Sequence, residues 1–372
     1  MKTEIRTAII TGIIVIGIVI GIAGYFMLLE KPQVDKNNNL SALPQNKSQT
    51  SSNESRYPLA PDLIGIADYV NTTPDELKSA MKDKVVIYDF WTYSCINCIR
   101  TFPYLKAWNE KYADKGLLII GIHSPEFEFE KDIKNVKMAT EKYGLKYPVV
   151  LDNDHQTWQA FGNNYWPAEY ITDSLGHIRH THFGEGEYDQ TEKVIQRLLD
   201  ERAQRLGLNL NADVGVLNIK EHEFSNQQTP ELYFGYNFSP GRDFIGNSEG
   251  FKPEKVVSYL LPSNLKQDRF YLVDQWKNFP DRMQTVSDNG TIILPYYAKD
   301  VHIVAAGSDT DIQILLDGKA ITANNSGLDV KNGTAHISEH RLYNIVSSEQ
   351  AGSHILTIIA HQGFQIYTFT IG

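Results

Sequence analysis

Two cysteines occur in this chain of 372 residues, and only two residues separate them, in Cys95-Ile96-Asn97-Cys98. An apolar run, Val85 to Trp91, precedes the pair, and a helix-like stretch from Ile99 to Tyr112 follows it. Strand, C-x-x-C, then helix places the first sulfur at a helix N-terminus, where unpaired N–H groups and the helix dipole favour a thiolate. A thiolate is the nucleophile of disulfide exchange, and the second cysteine is placed to resolve the mixed disulfide that forms. Two other readings exist for such a pair. Half a zinc site needs a second pair of ligands, and the chain has no other cysteine. A structural disulfide across this gap closes too small a loop to stabilise much. Redox chemistry is the reading that fits both motif and context.

The elements that must position the pair are legible around it. Thr73-Pro74-Asp75-Glu76 reads as an N-cap with proline at N1, opening a first helix within Asn71 to Lys82. Gly116 to Ile122 is continuously apolar, as a strand covered on both faces would be. Lys131 to Tyr143 is helix-like, Tyr147 to Leu151 is a strand, and Tyr170 to Ile178 is a hairpin turning near Ser174-Leu175-Gly176. A helix from Tyr188 to Leu206 closes this part of the chain.

The string Lys84 to Trp91 followed by C-x-x-C resembles the active-site strand and turn of thioredoxin-fold proteins. Phe90-Trp91-Thr92-Tyr93-Ser94-Cys95-Ile96-Asn97-Cys98 is similar to the redoxin portion of DipZ-type proteins, in which a small β domain follows a thioredoxin-like one. Tyr147 to Asp154, Tyr165-Trp166-Pro167-Ala168 and the terminal Gly363 to Gly372 extend the likeness over roughly residues 60 to 372. The resemblance implies a role for four residues. Cys95 attacks, and Cys98, one turn into the helix, resolves. Asp89, six residues before Cys95, is the buried acid that takes the Cys98 proton. Pro167 is the cis-proline that faces the cysteines and lets an extended substrate pair with the Trp166 backbone. Trp91, Tyr93 and Trp166 are expected as an apolar substrate-binding rim, with Trp91 equally readable as core. The redox-active Cys95–Cys98 disulfide is the expected reacting group, with no separate cofactor and no metal.

The likeness has departures. Ser94 stands where many thioredoxins carry Trp, and Ile96-Asn97 adds no positive charge beside Cys95. Some DipZ-type proteins carry a multi-span electron-carrying module ahead of the redoxin, whereas one apolar span is found here. A reductase of this form therefore needs a separate membrane electron donor of CcdA type.

That span runs from Thr7 to Leu29 without a charge, about 30 Å of helix, and matches a bilayer core. It exceeds a signal-peptide core and shows no small-residue cleavage site. The expected layout is a cytoplasmic tail (1–7), a transmembrane helix (8–29) and a flexible linker (30–58). A thioredoxin-like α/β redox domain (61–207), a connector (208–229) and a β-sandwich domain (230–372) follow. The folded parts are expected outside the cytoplasm, tethered to the cell membrane. A hydrophobic fraction of 42% supports two ordinary cores. The net charge of −10 and the lack of a basic stripe exclude nucleic acid as a partner.

Beyond Gly207 the sequence reads as short strands between Gly, Asn and Asp turns. Asp311 to Ile321 is a hairpin on Asp317-Gly318, and His354–Ala360 with Gln365–Phe369 reads as a second pair. In DipZ-type proteins this region looks like a carbohydrate-binding jelly roll. Tyr233, Tyr236, Tyr271, Trp276, Tyr296 and Tyr297 are the aromatics that a sugar platform would use, or that a sandwich core would absorb. Other clusters carry less. His177, His180 and His182, the last two on one strand face, are weighed as a metal site and read as exposed histidines with no nearby acid clearly paired. Glu126, Glu128 and Glu130, alternating with Phe127 and Phe129, read as a helix entry or amphipathic edge. Thr92-x-x-Cys95 resembles peroxiredoxins, which also need a proline seven residues before the cysteine, where this chain has Tyr88.

The expectation is a membrane-anchored thiol–disulfide oxidoreductase that reduces disulfides of exported proteins, with cytochrome c maturation as one use. The alternatives are a surface glycan- or protein-binding module with an accessory redoxin, or a thiol peroxidase.

Overall fold

The computed structural model describes residues 57–209, 215–222, 228–242, 244–307 and 309–372. The expected tail, transmembrane helix and nearly all of the linker lie outside the described residues. Among the described residues no helix is long and apolar enough to cross a membrane.

A six-stranded mixed sheet carries the redox pair. Strand β1 (Asp68–Val70) leads to helix α1 (Pro74–Ala80), which Thr73 caps through a full capping box with Glu76. Strand β2 (Val85–Trp91) is buried at all seven positions, as a near-continuous apolar run requires of a central strand. Helix α2 (Ile96–Tyr112) follows after four residues, then β3 (Leu117–His123) and a 3₁₀ turn at Glu128–Lys131. Helix α3 (Ile133–Tyr143) is capped by Asp132 and ends on Gly144 at φ 66°, a left-handed position that favours glycine. Strand β4 (Val149–Leu151), helix α4 (Gln156–Ala160), strands β5 (Ala168–Thr172) and β6 (Ile178–Phe183), and helix α5 (Tyr188–Leu206) complete this part. The strand order is β1-β4-β3-β2-β5-β6, with β2, β3 and β4 parallel and the other neighbours antiparallel.

Helix α2 starts at Ile96, three residues earlier than its apolar pattern indicates. The Cys95 sulfur acts as the N-cap acceptor for the Cys98 N–H at 3.2 Å, so the whole C-x-x-C lies within the first turn.

The second half is an eleven-stranded antiparallel sheet. Its longest strands, Gly290–Ala306 and Arg341–Ala360, pair along most of their length, with register shifts near Ala298 and Val301. Asp317-Gly318 turns the hairpin at φ 52° and 75°, the conformation a tight Asp-Gly turn demands. The expected pairing of His354–Ala360 with Gln365–Phe369 is not formed. Gly290–Ala306 lies between them and pairs with both.

Four of the six aromatics considered for a sugar platform, Tyr233, Tyr271, Trp276 and Tyr296, are buried, and Tyr236 and Tyr297 are half-buried. Tyr233, Trp276 and Tyr296 belong to the core of the β region, where rings of this size bury the most apolar area. The two halves share packing. Phe127, between β3 and α3, is 2% exposed and sits among Tyr233, Phe238 and Tyr367 of the β region.

Candidate functional site

The site starts where β2 ends. Thr92, Tyr93 and Ser94 turn the chain, and Cys95 follows half-buried while Cys98 is fully buried. Both are free thiols. Burial pushes the Cys98 thiol well up, and its hydrogen bond with Cys95 and the nearby Asp89 add to this. The pair is thus one reachable sulfur above one shielded, neutral thiol.

Beneath Cys98 lies a group of buried polar side chains. Asp89 is completely buried, and neither carboxyl oxygen has a hydrogen-bond partner. Its cross-strand neighbour on β5 is Glu169, 3% exposed and on the same face of the sheet. Burial, with the Glu169 charge adding to it, holds the Asp89 carboxyl well above the usual carboxylate range. Burial alone pushes Glu169 up to about 7. The Tyr147 hydroxyl, also without a partner, faces the same group. Gly121 on β3 leaves the room: a Cβ there would stand 2.8 Å from Trp91 Nε1 and 3.3 Å from the Tyr147 ring.

On the other side, the Trp166–Pro167 peptide is cis. Trp166 is half-buried, donates Nε1–H to the Ser124 carbonyl at 3.0 Å, and packs on Trp158 with ring centroids 4.3 Å apart. Pro167 offers its carbonyl to the Gly184 N–H at 2.9 Å, which ties the loop after β6 to the proline.

The expected rim is different in detail. Trp91 is 0% and Tyr93 4% exposed, so neither is on a surface a substrate can touch. Trp91 is the last residue of a strand covered on both faces. Tyr93 is stacked against His123 at 5.7 Å and lies beside Phe129. His123 is held neutral by burial, with its pKa pushed down to about 3. Trp166 alone of the three keeps an exposed part.

Three acids escaped the sequence reading. Glu169 was legible only as a charge inside the buried run Ala168–Thr172. Glu130 reads in sequence as part of an amphipathic edge, yet it is fully buried and accepts the Ser94 Oγ–H at 2.5 Å and the N–H groups of Glu126 and Phe127. Glu185, in the loop after β6, contacts Arg100 at 3.4 Å. Two of the three strand histidines do have acid neighbours: His177 lies 3.5 Å from Asp173, and His182 lies 3.7 Å from Glu187.

Residues 66–181 match the AhpC/TSA family, and residues 229–372 match a family described as thioredoxin-like C-terminal domain. The chain is 35% identical over 316 residues to the protein DipZ of Mycobacterium bovis, covering 84% of this chain and 43% of DipZ. It therefore spans less than half the length of that relative. It is 30% identical over 148 residues to the thiol-disulfide oxidoreductase YkuV of Bacillus subtilis, covering 39% of this chain and 97% of YkuV. The thiol-disulfide oxidoreductase ResA of Bacillus thuringiensis is 29% identical over 123 residues, 33% of this chain and 68% of ResA.

Proposed function

Because the chain belongs to the thioredoxin-like thiol-disulfide oxidoreductases, we propose that it is a membrane-anchored reductase of disulfides in exported proteins. The observation that carries this reading is the half-exposed Cys95 standing over the fully buried Cys98, with Asp89 and Glu169 below.

Cys95 Sγ attacks one sulfur of the substrate disulfide. A Cys95–substrate bond forms, and the other substrate sulfur leaves as a thiolate and takes up a proton. Cys98 then gives up its proton and attacks Cys95 Sγ, which releases the second substrate sulfur. The substrate gains two electrons and the protein ends with the Cys95–Cys98 disulfide. Cys98 is a poor nucleophile while burial keeps it neutral, so this step needs a base within the core. Asp89 supplies it: its oxygens have no competing donors, and Glu169 beside it can share the proton. Pro167 and the Trp166 backbone border the place where the substrate chain lies.

The charge-free stretch Thr7–Leu29 supports anchoring, with the folded part outside the cytoplasm. An electron donor in the membrane, of CcdA type, returns the pair to the dithiol. Reduction of an apocytochrome C-x-x-C-H before haem attachment is one use of such an enzyme. The register shifts between Gly290–Ala306 and Arg341–Ala360 support a jelly-roll-like sandwich for the β region. Peroxidase chemistry is not favoured, because the Thr92 hydroxyl is directed to His123 and Glu130.

The test is reduction of insulin by the dithiol form, followed by turbidity, together with fractionation of cells expressing the full chain. Catalysed reduction and recovery with the membranes support the reading. No catalysis, or recovery in the soluble fraction, would overturn the corresponding half of it.

A further inference from the structure

A cleft of about 490 Å³ opens between the redox turn and the β region. Asn97, Arg100 and Glu185 line it from the redox side, and Thr229, Glu231 and Thr370 line it from the β side. Two residues of its redox-side wall adjoin the reacting machinery. Asn97 lies between the two cysteines, and Glu185 follows Gly184, whose N–H is bonded to the Pro167 carbonyl.

Glu185 is the unusual group in this wall. Its side chain is 6% exposed, yet it is short of donors. One oxygen has a long contact to Arg100 Nη1 at 3.4 Å, and the other is buried with no hydrogen-bond partner. A buried carboxylate oxygen without a donor is costly, and nearly all such atoms are paired in folded proteins. Arg100 does not supply the missing bond: its one contact with Glu185 is to the other oxygen. The second acid of the cleft is already supplied: Glu231 accepts from Thr370 at 2.9 Å and Tyr233 at 3.0 Å. Glu231 also has the Arg242 charge near it, so of the two acids Glu185 is the one with unused acceptor capacity.

We infer that this cleft is a substrate subsite in which Glu185 receives a cationic side chain, lysine or arginine, from the polypeptide under reduction. The inference rests on the reductase reading and adds a preference to it. An extended chain advances about 3.3 Å per residue, so a side chain within a few positions of the attacked cysteine passes over Asn97 into the cleft. The long stem of lysine or arginine reaches Glu185 while its apolar part covers the wall. The β region, by forming the opposite wall, takes part in substrate choice. A thioredoxin-like domain alone would lack that wall.

Disulfide-bonded peptides test this directly. In one series a lysine is walked from two residues before to three residues after the attacked cysteine, and in a matched series norleucine takes its place. The reduced full-length chain and its Glu185→Gln and Glu185→Asp variants are compared by kcat/KM. At one position the wild type is expected to favour lysine about tenfold or more, as a charge-assisted hydrogen bond implies. Glu185→Gln brings that ratio towards one, and Glu185→Asp retains part of it. Lysine-to-norleucine ratios within twofold at every position would overturn the subsite while leaving the reductase intact. A preference that survives Glu185→Gln would overturn the assignment to Glu185. Failure to reduce any peptide would instead count against the reductase reading itself.

Discussion

Ser94 donates its hydroxyl proton to Glu130 Oε1 at 2.5 Å, and Ser94 is the residue immediately before the outer cysteine. The second oxygen of Glu130 accepts the N–H of Glu126 at 2.6 Å and that of Phe127 at 2.9 Å. Phe127 is embedded among β-region rings. One buried carboxylate therefore links the redox turn to the segment that plugs into the β region.

Glu130→Ala leaves three donors without an acceptor in a buried place. Each such group costs about 1–3 kcal/mol, so the thermal midpoint falls by several degrees. Disulfide exchange slows as well, because the turn that aims Cys95 loses its anchor. Scanning calorimetry and a stopped-flow exchange assay check the two parts. An unchanged midpoint with an unchanged rate would show that the link carries nothing.

Glu169→Gln should alter how stability depends on pH. With a folded pKa of about 7 against an ordinary 4.5, Glu169 is neutral in both states below pH 4.5 and costs nothing there. Between 4.5 and 7 the unfolded chain ionises first, so wild-type stability falls as pH rises; above 7 the loss is complete. The variant lacks this loss. Relative to wild type it gains up to about 3 kcal/mol on going from pH 4.5 to pH 8, measured by urea unfolding. A constant difference between the two proteins across that range would contradict the buried-acid account.

Gly121→Ala forces a methyl group to within 2.8 Å of Trp91 Nε1 and 3.2 Å of Val149 Cγ2. Neither the fully buried indole nor the strand behind it can give way cheaply. Overpacking of this kind costs about 1–3 kcal/mol. The measurement is the denaturation midpoint, and an unaltered value would mean that the layer behind Cys98 is looser than its burial shows.

Much of this was legible before any coordinates. Val85–Trp91 and Tyr188–Leu206 have the bounds their patterns indicate, since one is an unbroken apolar run and the other a long periodic helix. The cysteine pair announced itself by spacing. What was not legible depends on partners far apart in the chain. Glu130 looks like one tooth of a Phe/Glu alternation until Ser94, 36 residues earlier, is seen to bond it. Glu169 acquires meaning only across the sheet from Asp89. The pairing of the last strands was misread because Gly290–Ala306 comes between them in space and not in sequence. Aromatic residues beside a reactive pair suit both a surface and a core; burial places Tyr93 in the core and selects the core reading for Trp91.

Cys98→Ser removes the resolving sulfur and keeps the reachable one. It should accumulate a mixed disulfide with an oxidised peptide or with cellular proteins, seen as a mass shift that reductant reverses. Cys95→Ser should form none at comparable rate, because the remaining thiol is 0% exposed. Equal adducts on both variants would mean that the two sulfurs do not divide the work.

The most direct test of the central claim is the reduction potential of the Cys95–Cys98 couple, measured on the purified chain against a glutathione or dithiothreitol buffer series. A reductase of exported proteins requires a value near or below about −230 mV, in the range of thioredoxin-like donors. A value above about −150 mV would make the couple an oxidant and contradict the account.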